Sequence, residues 1–459
     1  MKKLLFTFIC LLTTITAQEK NKIKNVLFII SDDLKASTLG AYGDKVCKTP
    51  NIDKLAAEGM VFTRTYCQGT VCGPSRLSFM HSRYRGRAES NIGNHFIKNG
   101  YYSARVGKIY HMRVPGDIIA GTHGGDIKNT WTERFNCTGQ EAHTPGDYAC
   151  LNLNIFTNKL EGRQSTQMPH RMYVTVSYEG DGSDQPDHKA ATKTIELIQK
   201  NKDKPFFIAT GFVRPHYPMV APKKYFDMYP LEDIKIPQVP KNDLNDIPKI
   251  VHPKENPINK MDDNIKRMWA GYYATITFMD EQVGRIIKEL ERLGLRDSTA
   301  IVFTSDHGYH LGEHGYWQKN DLHEEVTRVP LIISAPGFKP GRSESITELM
   351  DIFPTLTSLT GLNTPESVQG KSLLPILKSS SAVVKDSALS FTPKGVGMRT
   401  KDWAYMKYKD GSEELYNMVK DPSQFTNLVN NPEYKVVLDK HRQAFSERLK
   451  KANYKFKFK

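Results

Sequence analysis

The sequence has no long apolar run after its first seventeen residues, no Cys-x-x-Cys pair and no internal repeat. The first absence argues against a helix that crosses a bilayer, because such a helix needs about 20 consecutive, mostly apolar residues. The second argues against a structural zinc site. The composition, 39% hydrophobic and 25% charged, is ordinary for a globular protein and argues against a disordered or fibrous chain.

The N-terminus has the composition of a secretory leader. Two lysines precede the apolar run from Leu4 to Leu12, and small residues follow as far as Ala17. We therefore predict a signal peptide over residues 1–17 and export to the periplasm or the extracellular space. Its removal would take Cys10 with it.

Five cysteines remain after the leader, an odd number for an oxidising compartment, so one thiol is left over. Cys137 and Cys150 bracket a polar loop that contains glycine and proline. This arrangement predicts a local disulfide between them.

Basic residues outnumber acidic ones by 64 to 50, which gives a formal net charge of +14. Such a balance favours a polyanionic partner, which could be nucleic acid, an anionic surface or an acidic polysaccharide. The alternative is that dispersed lysines serve only solubility. The last six residues, Tyr454-Lys-Phe-Lys-Phe-Lys459, alternate with a period of two, which suits an edge strand as well as a docking tail.

Three short apolar runs have the length and composition of buried parallel strands, and polar residues follow each of them. The runs are residues 25–31, 204–210 and 299–305, followed by Asp32-Asp33, Arg214-Pro215-His216 and Asp306-His307-Gly308. A helical pattern from about Asn264 to Leu293 lies between the second and third runs. This alternation predicts a doubly wound, mostly parallel sheet, whose ligands bind beyond the carboxyl ends of its strands.

The chain exceeds a typical single-domain length, and its pattern changes after about residue 380. Short alternating runs at 395–398, 403–409 and 414–418, with Asp410-Gly411 as a hairpin turn, predict an antiparallel sheet. A helix from about Asn431 to Ala452 would close it. We therefore expect an α/β domain over residues 18–380 and a smaller α+β subdomain over residues 381–459.

Two pairs of adjacent residues at predicted strand ends could bind a metal ion. Asp32, Asp33, Asp306 and His307 supply three carboxylates and an imidazole, which suit Ca²⁺ or Mg²⁺ better than a metal that prefers thiolates. An adjacent Asp pair can also act as a helix N-cap before Leu34. The presence of two such pairs favours the metal site.

Helical phasing places Cys72 at or near a helix N-terminus, where backbone amides favour anions. The alternative for this cysteine in an exported protein is a disulfide with Cys67 or Cys47. Four further side chains offer charge or titratable protons close to strand-like or loop segments, although each could equally be surface or core. They are Lys108, His111, His216 and Lys319.

The segment Cys72-x-Pro74-Ser75-Arg76, closed by Arg83, resembles the signature of the type I sulfatases, in which the cysteine is converted to formylglycine. The resemblance covers nearly the whole mature chain, and it includes Asp32-Asp33, Gly100-Tyr101, Lys108, His111, Pro215-His216, Asp306-His307-Gly308, Gly312-Glu313-His314-Gly315 and Lys319. It implies an alkaline-phosphatase-like α/β fold: a large, mostly parallel sheet flanked by helices, with a small C-terminal antiparallel sheet.

Within this family the sequence is most similar to the iduronate-2-sulfatase type. Most sulfatases have Gly-Lys-x-His, whereas this chain has one more residue between Lys108 and His111, and His307 stands where many members carry Asn. The segment from Pro205 to Ile234 and the Cys137–Cys150 loop also match that type. The resemblance implies a sulfated, acidic poly- or oligosaccharide as substrate, with a 2-O-sulfate as the expected group, and no nucleic acid partner.

The resemblance also implies a role for each site residue. Asp32, Asp33, Asp306 and His307, with residue 72, would hold Ca²⁺, with Mg²⁺ as the second choice. Arg76 would orient the hydrated formylglycine, and Lys108 and Lys319 would bind the sulfate oxygens. His216 would protonate the leaving oxygen, and His111 would take the proton whose loss expels sulfate. Arg214 and Trp317 are assigned to substrate binding, and a formylglycine-generating maturation enzyme is an expected partner.

Two other functions fit parts of the same sequence. A phosphodiester or phosphonate monoester hydrolase would use similar metal and nucleophile chemistry on this fold. A carbohydrate-binding protein without activity would account for the basic charge, but it would not need the complete set of candidate ligands and lysines.

Overall fold

The computed structural model describes residues 23–458. The predicted signal peptide and Lys459 lie outside the described residues. Within residues 23–458, none of the helices combines the length and the hydropathy that a membrane span requires.

The strands of the described chain, in order, are β1 (Asn25–Asp32), β2 (Met60–Tyr66), β3 (Tyr102–Gly107), β4 (Glu133–Phe135), β5 (Asp147–Cys150), β6 (Ile155–Thr157), β7 (Val174–Tyr178), β8 (Phe206–Pro215), β9 (Met219–Pro222), β10 (Thr299–Ser305), β11 (His310–Leu311), β12 (Trp317–Gln318), β13 (Arg328–Ser334), β14 (Gly341–Ser343), β15 (Thr347–Glu348), β16 (Ser387–Phe391), β17 (Gly395–Thr400), β18 (Trp403–Tyr408) and β19 (Glu413–Asn417).

The α-helices of the same residues are α1 (Pro50–Ala57), α2 (Cys72–His81), α3 (Ile92–Lys98), α4 (Gly116–Ala120), α5 (Pro186–Asn201), α6 (Lys223–Phe226), α7 (Asp262–Arg292), α8 (Glu324–Thr327), α9 (Ile352–Thr360), α10 (Leu374–Lys378) and α11 (Lys435–Lys451).

The large central sheet has a parallel centre. Its strands run in the order β14-β2-β13-β10-β1-β8-β3-β4, and β15 also pairs with β2. From β10 to β4 all neighbours are parallel, whereas β13 is antiparallel to both β10 and β2. The predicted mostly parallel sheet with helices on its faces is therefore confirmed.

Strand β1 shows why this sheet lies between two apolar layers. All eight of its residues are buried. Because successive side chains point to opposite faces, Leu27 and Ile29 join the core under α1, α5 and α7. Val26, Phe28 and Ile30 join the core under α2, α3 and α9. A continuous apolar run is what a strand covered on both faces requires.

The bounds of two elements differ from those predicted from the sequence. The central helix was expected over Asn264–Leu293 and is observed as α7, Asp262–Arg292. Strand β8 was expected to end at Thr210, but it continues to Pro215 with every residue buried. The strand therefore includes Gly211 and Arg214, which lie beyond the apolar run. A second four-stranded sheet, in the order β6-β5-β7-β9, was not predicted.

The C-terminal sheet has the order β16-β17-β18-β19 and is antiparallel throughout. The small antiparallel sheet is thus confirmed, although β16 was not predicted. Its closing helix, α11, begins after a 3₁₀ turn at Pro432–Tyr434. The final segment forms no strand; the Tyr454 ring instead stacks on Phe391 with centroids 3.9 Å apart, so the docking-tail alternative describes residues 454–458.

Candidate functional site

The parallel strands bring two acidic pairs to one edge of the sheet. Ser31 of β1 is paired in register with Ser305 of β10, so Asp32 and Asp306 follow at the same level. The backbone of Asp33 has a φ of 64°, a left-handed conformation that a non-glycine residue adopts at some cost in energy. Such strain is common where a side chain must be aimed into a site.

Lys108 reaches this edge because two glycines let β3 and β8 come close together. Gly107 has a φ of 69°, and a Cβ at this position would collide with the carbonyl oxygen of Gly211 on β8. The Lys108 amide donates to that same oxygen at 2.9 Å. Its side chain is fully buried and its Nζ forms an ion pair with Asp32.

Helix α2 begins at Cys72, as predicted, and its N-cap residue, Val71, provides no side-chain cap. Cys72 is 4% exposed, and its Sγ lies 3.2 Å from Lys319 Nζ and 3.9 Å from Lys108 Nζ. It also lies 3.3 Å from His307 Nε2 and 3.8 Å from Asp33 Oδ1. The sulfur therefore sits between two ammonium groups at the positive end of a helix.

The charges around Cys72 favour an anion at that position. Burial and the Asp32 carboxylate would raise the pKa of the thiol, but Lys108 and Lys319 lower it below its ordinary value. Burial also works against the charged forms of both lysines, yet Asp32 raises the pKa of Lys108 and Asp33 raises that of Lys319. Both lysines are therefore cations, placed to bind an anionic group that contacts residue 72.

Four side chains offer ligand atoms that all lie within 4.8 Å of one another: Asp32, Asp33, Cys72 and His307. Asp33 Oδ2 is buried and has no hydrogen-bond partner. Burial raises the pKa of the Asp33 carboxyl to about 7, because Lys319 and His307 only partly offset the loss of solvent. An orphaned, buried carboxylate oxygen beside further oxygen and nitrogen donors fits a divalent cation well.

Asp306 lies next to this set, and its carboxylate is already engaged. Its Oδ2 accepts from Arg76 Nε at 2.8 Å and lies 3.5 Å from His307 Nε2. Its Oδ1 accepts from the amides of Asp33 and His307 at 3.2 and 3.0 Å. These bonds fix the carboxylate at the edge of the candidate cation site.

Arg76 is fully buried and organises the carboxylates. Besides the bond to Asp306, its Nη2 donates to Asp32 Oδ1 at 3.1 Å, and its Nη1 donates to the carbonyl oxygens of Lys108 and Ile109. Burial opposes its charge, but the two carboxylates keep its pKa above the ordinary value. The sequence predicted that Arg76 orients residue 72; its hydrogen bonds hold the surrounding acidic side chains and the chain after β3.

The two catalytic histidine candidates lie on either side of this centre. His111 reaches solvent beside Gly73, the second residue of α2, and burial of part of its ring together with Lys108 lowers its pKa to about 4. His216 is buried, with Nδ1 2.6 Å from the carbonyl oxygen of Tyr217 and Nε2 3.8 Å from Asp33 Oδ2. Burial and Lys319 hold the pKa of His216 well below its ordinary value.

The assignment of Arg214 to substrate binding is wrong. Its side chain is fully buried, and Nη1 and Nη2 donate to the two carboxylate oxygens of Glu141 at 3.1 and 3.2 Å. Its Nε donates to the carbonyl oxygen of Val220 at 3.1 Å. With these donors satisfied inside the protein, Arg214 connects β8 to the second sheet and has no surface on which to receive a sugar carboxylate.

Trp317 lies on β12, two residues before Lys319, and is half-buried. Its ring meets that of Tyr173 edge-on with centroids 5.5 Å apart, and its Nε1 donates to Asn259.

The predicted disulfide is not confirmed. Cys137 and Cys150 are free thiols, as are Cys47, Cys67 and Cys72. Cys150 ends β5 in the second sheet, where its Sγ lies 3.4 Å from Asn152 Oδ1 and 3.7 Å from the carbonyl oxygen of His170. Cys137 follows β4 of the central sheet. The polar loop between them suggested the pair, but only Cys150 lies in a strand, and the two thiols are not bonded.

A second cluster of potential metal ligands was not predicted. His310, Asp321 and His323 are buried, with ligand atoms within 4.8 Å of one another. Asp321 Oδ1 accepts from both imidazoles, at 3.2 Å from His310 Nε2 and 2.6 Å from His323 Nδ1. His323 Nε2 also lies 3.2 Å from Glu414 of β19. These ion pairs join the loop that carries Lys319 to the C-terminal sheet; the Asp321-x-His323 spacing was the available sequence signal.

Comparison with known proteins identifies the family. The Sulfatase family model matches residues 24–362, and the model of the N-sulphoglucosamine sulphohydrolase C-terminal region matches residues 312–452. A sulfatase of Formosa agariphila is 31% identical over 93% of this chain and 88% of its own length. Human iduronate 2-sulfatase is 32% identical over 74% of this chain and 70% of its own length.

Solved structures agree with this fold. Phosphonate monoester hydrolase of Agrobacterium radiobacter superimposes with a TM-score of 0.76 at 23% identity and covers 93% of this chain and 96% of its own. Another match, with a TM-score of 0.73 and 21% identity, was solved in complex with its substrate, D-glucosamine-2-N,6-O-disulfate, and covers 94% of this chain and 98% of its own. The match to the family model over most of the chain, together with these relatives, shows that the protein belongs to the type I sulfatases and is a sulfuric ester hydrolase.

Proposed function

We propose that this enzyme hydrolyses sulfate esters of an acidic, sulfated carbohydrate through a formylglycine made from Cys72. The position of the Cys72 side chain carries the proposal. It starts a helix, lies within 3.9 Å of the ammonium groups of buried Lys108 and partly buried Lys319, and borders a set of acidic side chains that leaves one oxygen unsatisfied. In the mature enzyme, the Cβ of residue 72 would carry the two oxygen atoms of the hydrated aldehyde, one of them in place of Sγ.

Two groups would complete this site. Hydrated formylglycine supplies two hydroxyls at position 72, one to attack sulfur and one whose later deprotonation expels sulfate. Asp32, Asp33, Asp306, His307 and residue 72 would hold a divalent cation, which would supply positive charge to neutralise the sulfate and acidify the attacking hydroxyl. The predominance of carboxylate oxygens favours Ca²⁺, with Mg²⁺ as the second choice.

The two lysines would bind the sulfate oxygens. Lys108 and Lys319 are desolvated before substrate arrives, so they need no reorganisation when negative charge builds up on the transferred sulfuryl group. Arg76 keeps Asp32 and Asp306 in position beneath them.

The two histidines divide the proton transfers. His111, with a pKa of about 4, is neutral at physiological pH and can accept the proton of the second hydroxyl. The Tyr217 carbonyl oxygen lies at the Nδ1 of His216, which leaves Nε2 to face the site and protonate the leaving oxygen. Burial lowers the pKa of His216 most, and the positive charge of Lys319 lowers it further. The negative charge of a bound sulfate ester would offset the effect of Lys319.

The substrate proposal is a 2-O-sulfated uronate or a related acidic fragment. Its support is the spacing of Lys108 and His111, the identity of His307 and the 32% identity with human iduronate 2-sulfatase. Trp317 is the candidate for contact with the sugar ring. Export through the N-terminal leader and conversion of Cys72 by a formylglycine-generating enzyme belong to the same proposal.

The test combines mass mapping with substrate comparison. We expect the Cys72 peptide of active protein to carry formylglycine and kcat/KM to be higher for an aryl sulfate than for a phosphodiester or phosphonate monoester. Among defined sulfated oligosaccharides, we expect 2-O-sulfated uronates to exceed neutral 6-O-sulfated hexoses. Active protein with unmodified Cys72, or a preference for phosphorus esters, would contradict the proposal.

A further inference from the structure

A cavity of about 720 Å³ lies along the flank of helix α2. Four parts of the chain line it: residues 68–71 with Pro74, Leu77 and Ser78; residues 83–86; the β16–β17 turn with Lys409; and the C-terminal segment 454–457. We call it the tail groove, because Tyr454 to Lys457 form one of its walls. Aromatic and basic residues alternate in that segment. Tyr454 and Phe456 are half-buried, whereas Lys455 and Lys457 are exposed.

The lining of the tail groove carries charge of one sign only. Within the part of the chain that the structure describes, no Asp or Glu lines it, whereas five basic side chains do: Arg83, Arg85, Lys409, Lys455 and Lys457. Among residues 23–458, no carboxylate lies within ion-pair distance of any of the five. Like charges held close together repel one another, so this surface is most stable with an anion bound.

Aromatic rings hold two of these cations over the groove. The Arg85 guanidinium lies 5.8 Å from the centroid of Tyr454, and Lys409 Nζ lies 5.7 Å from that of Phe456. These cation–π contacts orient the side chains without neutralising them. Tyr454 is fixed in turn by its stacking on Phe391.

The tail groove and the nucleophile share a segment of chain. Gly69, Thr70 and Val71 line the groove and lead directly into Cys72. The Thr70 carbonyl oxygen accepts from the amide of Asn320 at 3.0 Å, and Asn320 is the neighbour of Lys319. An extended anionic chain with one sulfate at Cys72 therefore has a second cationic surface immediately beside it.

We infer that the tail groove is a subsite for further anionic groups, sulfate or carboxylate, of the polysaccharide chain whose sulfate ester is cleaved at residue 72. This inference rests on the proposed function and adds to it that the enzyme favours polymeric or long oligomeric substrates. Cations beside aromatic rings would also suit single-stranded nucleic acid. The sulfated chain is the better match because the groove adjoins a site built for a sulfate ester.

The test pairs two double variants with the same change in charge. Lys455→Ala with Lys457→Ala removes two cations from the groove. Lys200→Ala with Lys202→Ala removes two exposed lysines at the end of α5, which precedes β8 and so lies at the opposite edge of the sheet from the site. A single Arg85→Ala variant removes a cation from the other wall and leaves every residue of the tail unchanged.

For each protein, kcat/KM is measured on an aryl sulfate and on sulfated oligosaccharides of increasing length. We expect the ratio of long-oligosaccharide to aryl sulfate kcat/KM to fall roughly tenfold in the groove variants, through KM, and to stay constant in the control. The difference should shrink with added salt, since screening acts over about 8 Å at physiological ionic strength. An unchanged ratio in both groove variants would overturn the inference.

Binding to the Cys72→Ala protein separates this inference from the proposed function. Long sulfated oligosaccharides should bind this inactive protein more weakly once Lys455 and Lys457 are also replaced, whatever the outcome of the turnover assays. Absence of aryl sulfate turnover in mature wild-type enzyme would count against the proposed function alone. Tighter binding of a single-stranded oligonucleotide than of a sulfated chain of equal charge would overturn the subsite assignment.

Discussion

The nucleophile site and the junction between the α/β part and the C-terminal sheet both bury carboxylates against cations, but they differ in how fully these groups are satisfied. At the junction, Lys385 Nζ donates to Glu348 and Asp351, each at 2.6 Å. Tyr84 and the Leu389 amide also donate to Glu348, at 2.6 and 2.9 Å. At the site, Asp33 Oδ2 is buried without a partner.

This difference separates a structural cluster from a functional one. A buried charge that finds all its hydrogen bonds within the protein holds elements together, and the junction cluster does so between β15, β16 and α11. A buried carboxylate with a free oxygen gains stability only when a ligand arrives. Three changes test whether the two clusters are separable in this way.

The largest expected effect is on activity at the site. We expect Cys72→Ala to lower kcat/KM on an aryl sulfate by roughly 10³-fold or more, because the attacking group is lost. The melting temperature should stay close to that of the wild type, since a small side chain outside the apolar cores is removed. Purified protein would be compared by steady-state assay and calorimetry. A variant that retains substantial turnover would show that the nucleophile lies elsewhere.

The next largest effect is on stability at the junction. We expect Lys385→Met to lower the free energy of unfolding by about 3–5 kcal/mol, because two buried carboxylates lose their shared cation. Denaturant titration measures this loss. Turnover per folded molecule should change little. Lys378→Met, at an exposed lysine of α10, is the matched control and should be nearly neutral. Equal stability in the two variants would remove the distinction between the clusters.

The smallest expected effect is a pH-dependent rise in melting temperature when the cation binds. Burial raises the pKa of Asp33 from 3.8 to about 7, so between these values the folded, metal-free protein holds a proton that the unfolded chain has lost. Its stability therefore falls as the pH rises from about 4 to about 7. A bound cation replaces that proton, so Ca²⁺ should raise the melting temperature more at about pH 8 than at about pH 5.

Thermal scans with Ca²⁺ and with chelator at both pH values measure this difference. Asp33→Asn removes the titrating group and should make the Ca²⁺-induced shift smaller and nearly independent of pH. A shift of the same size at both pH values in the wild type would show that Asp33 does not receive the cation.

The elements that follow from short-range pattern were predictable. β10 was predicted with its observed bounds and α7 to within two residues, because their periodicity and composition are strong local signals. Predictions about polar side chains near strand ends were less secure. Arg214 and His216 are two residues apart in one segment, yet only His216 faces the site, since Arg214 is neutralised by Glu141 from a distant part of the chain.

The sequence by itself determined the parallel sheet, the edge at which its polar residues gather and the position of Cys72 at a helix start, because strand register and helix phasing depend on local periodicity. Only the tertiary structure decided which charges are satisfied and which are left free. It left Cys137 and Cys150 as free thiols, enclosed Arg214 and brought the C-terminal lysines beside α2. These outcomes depend on contacts between residues far apart in the chain, and no local pattern records them.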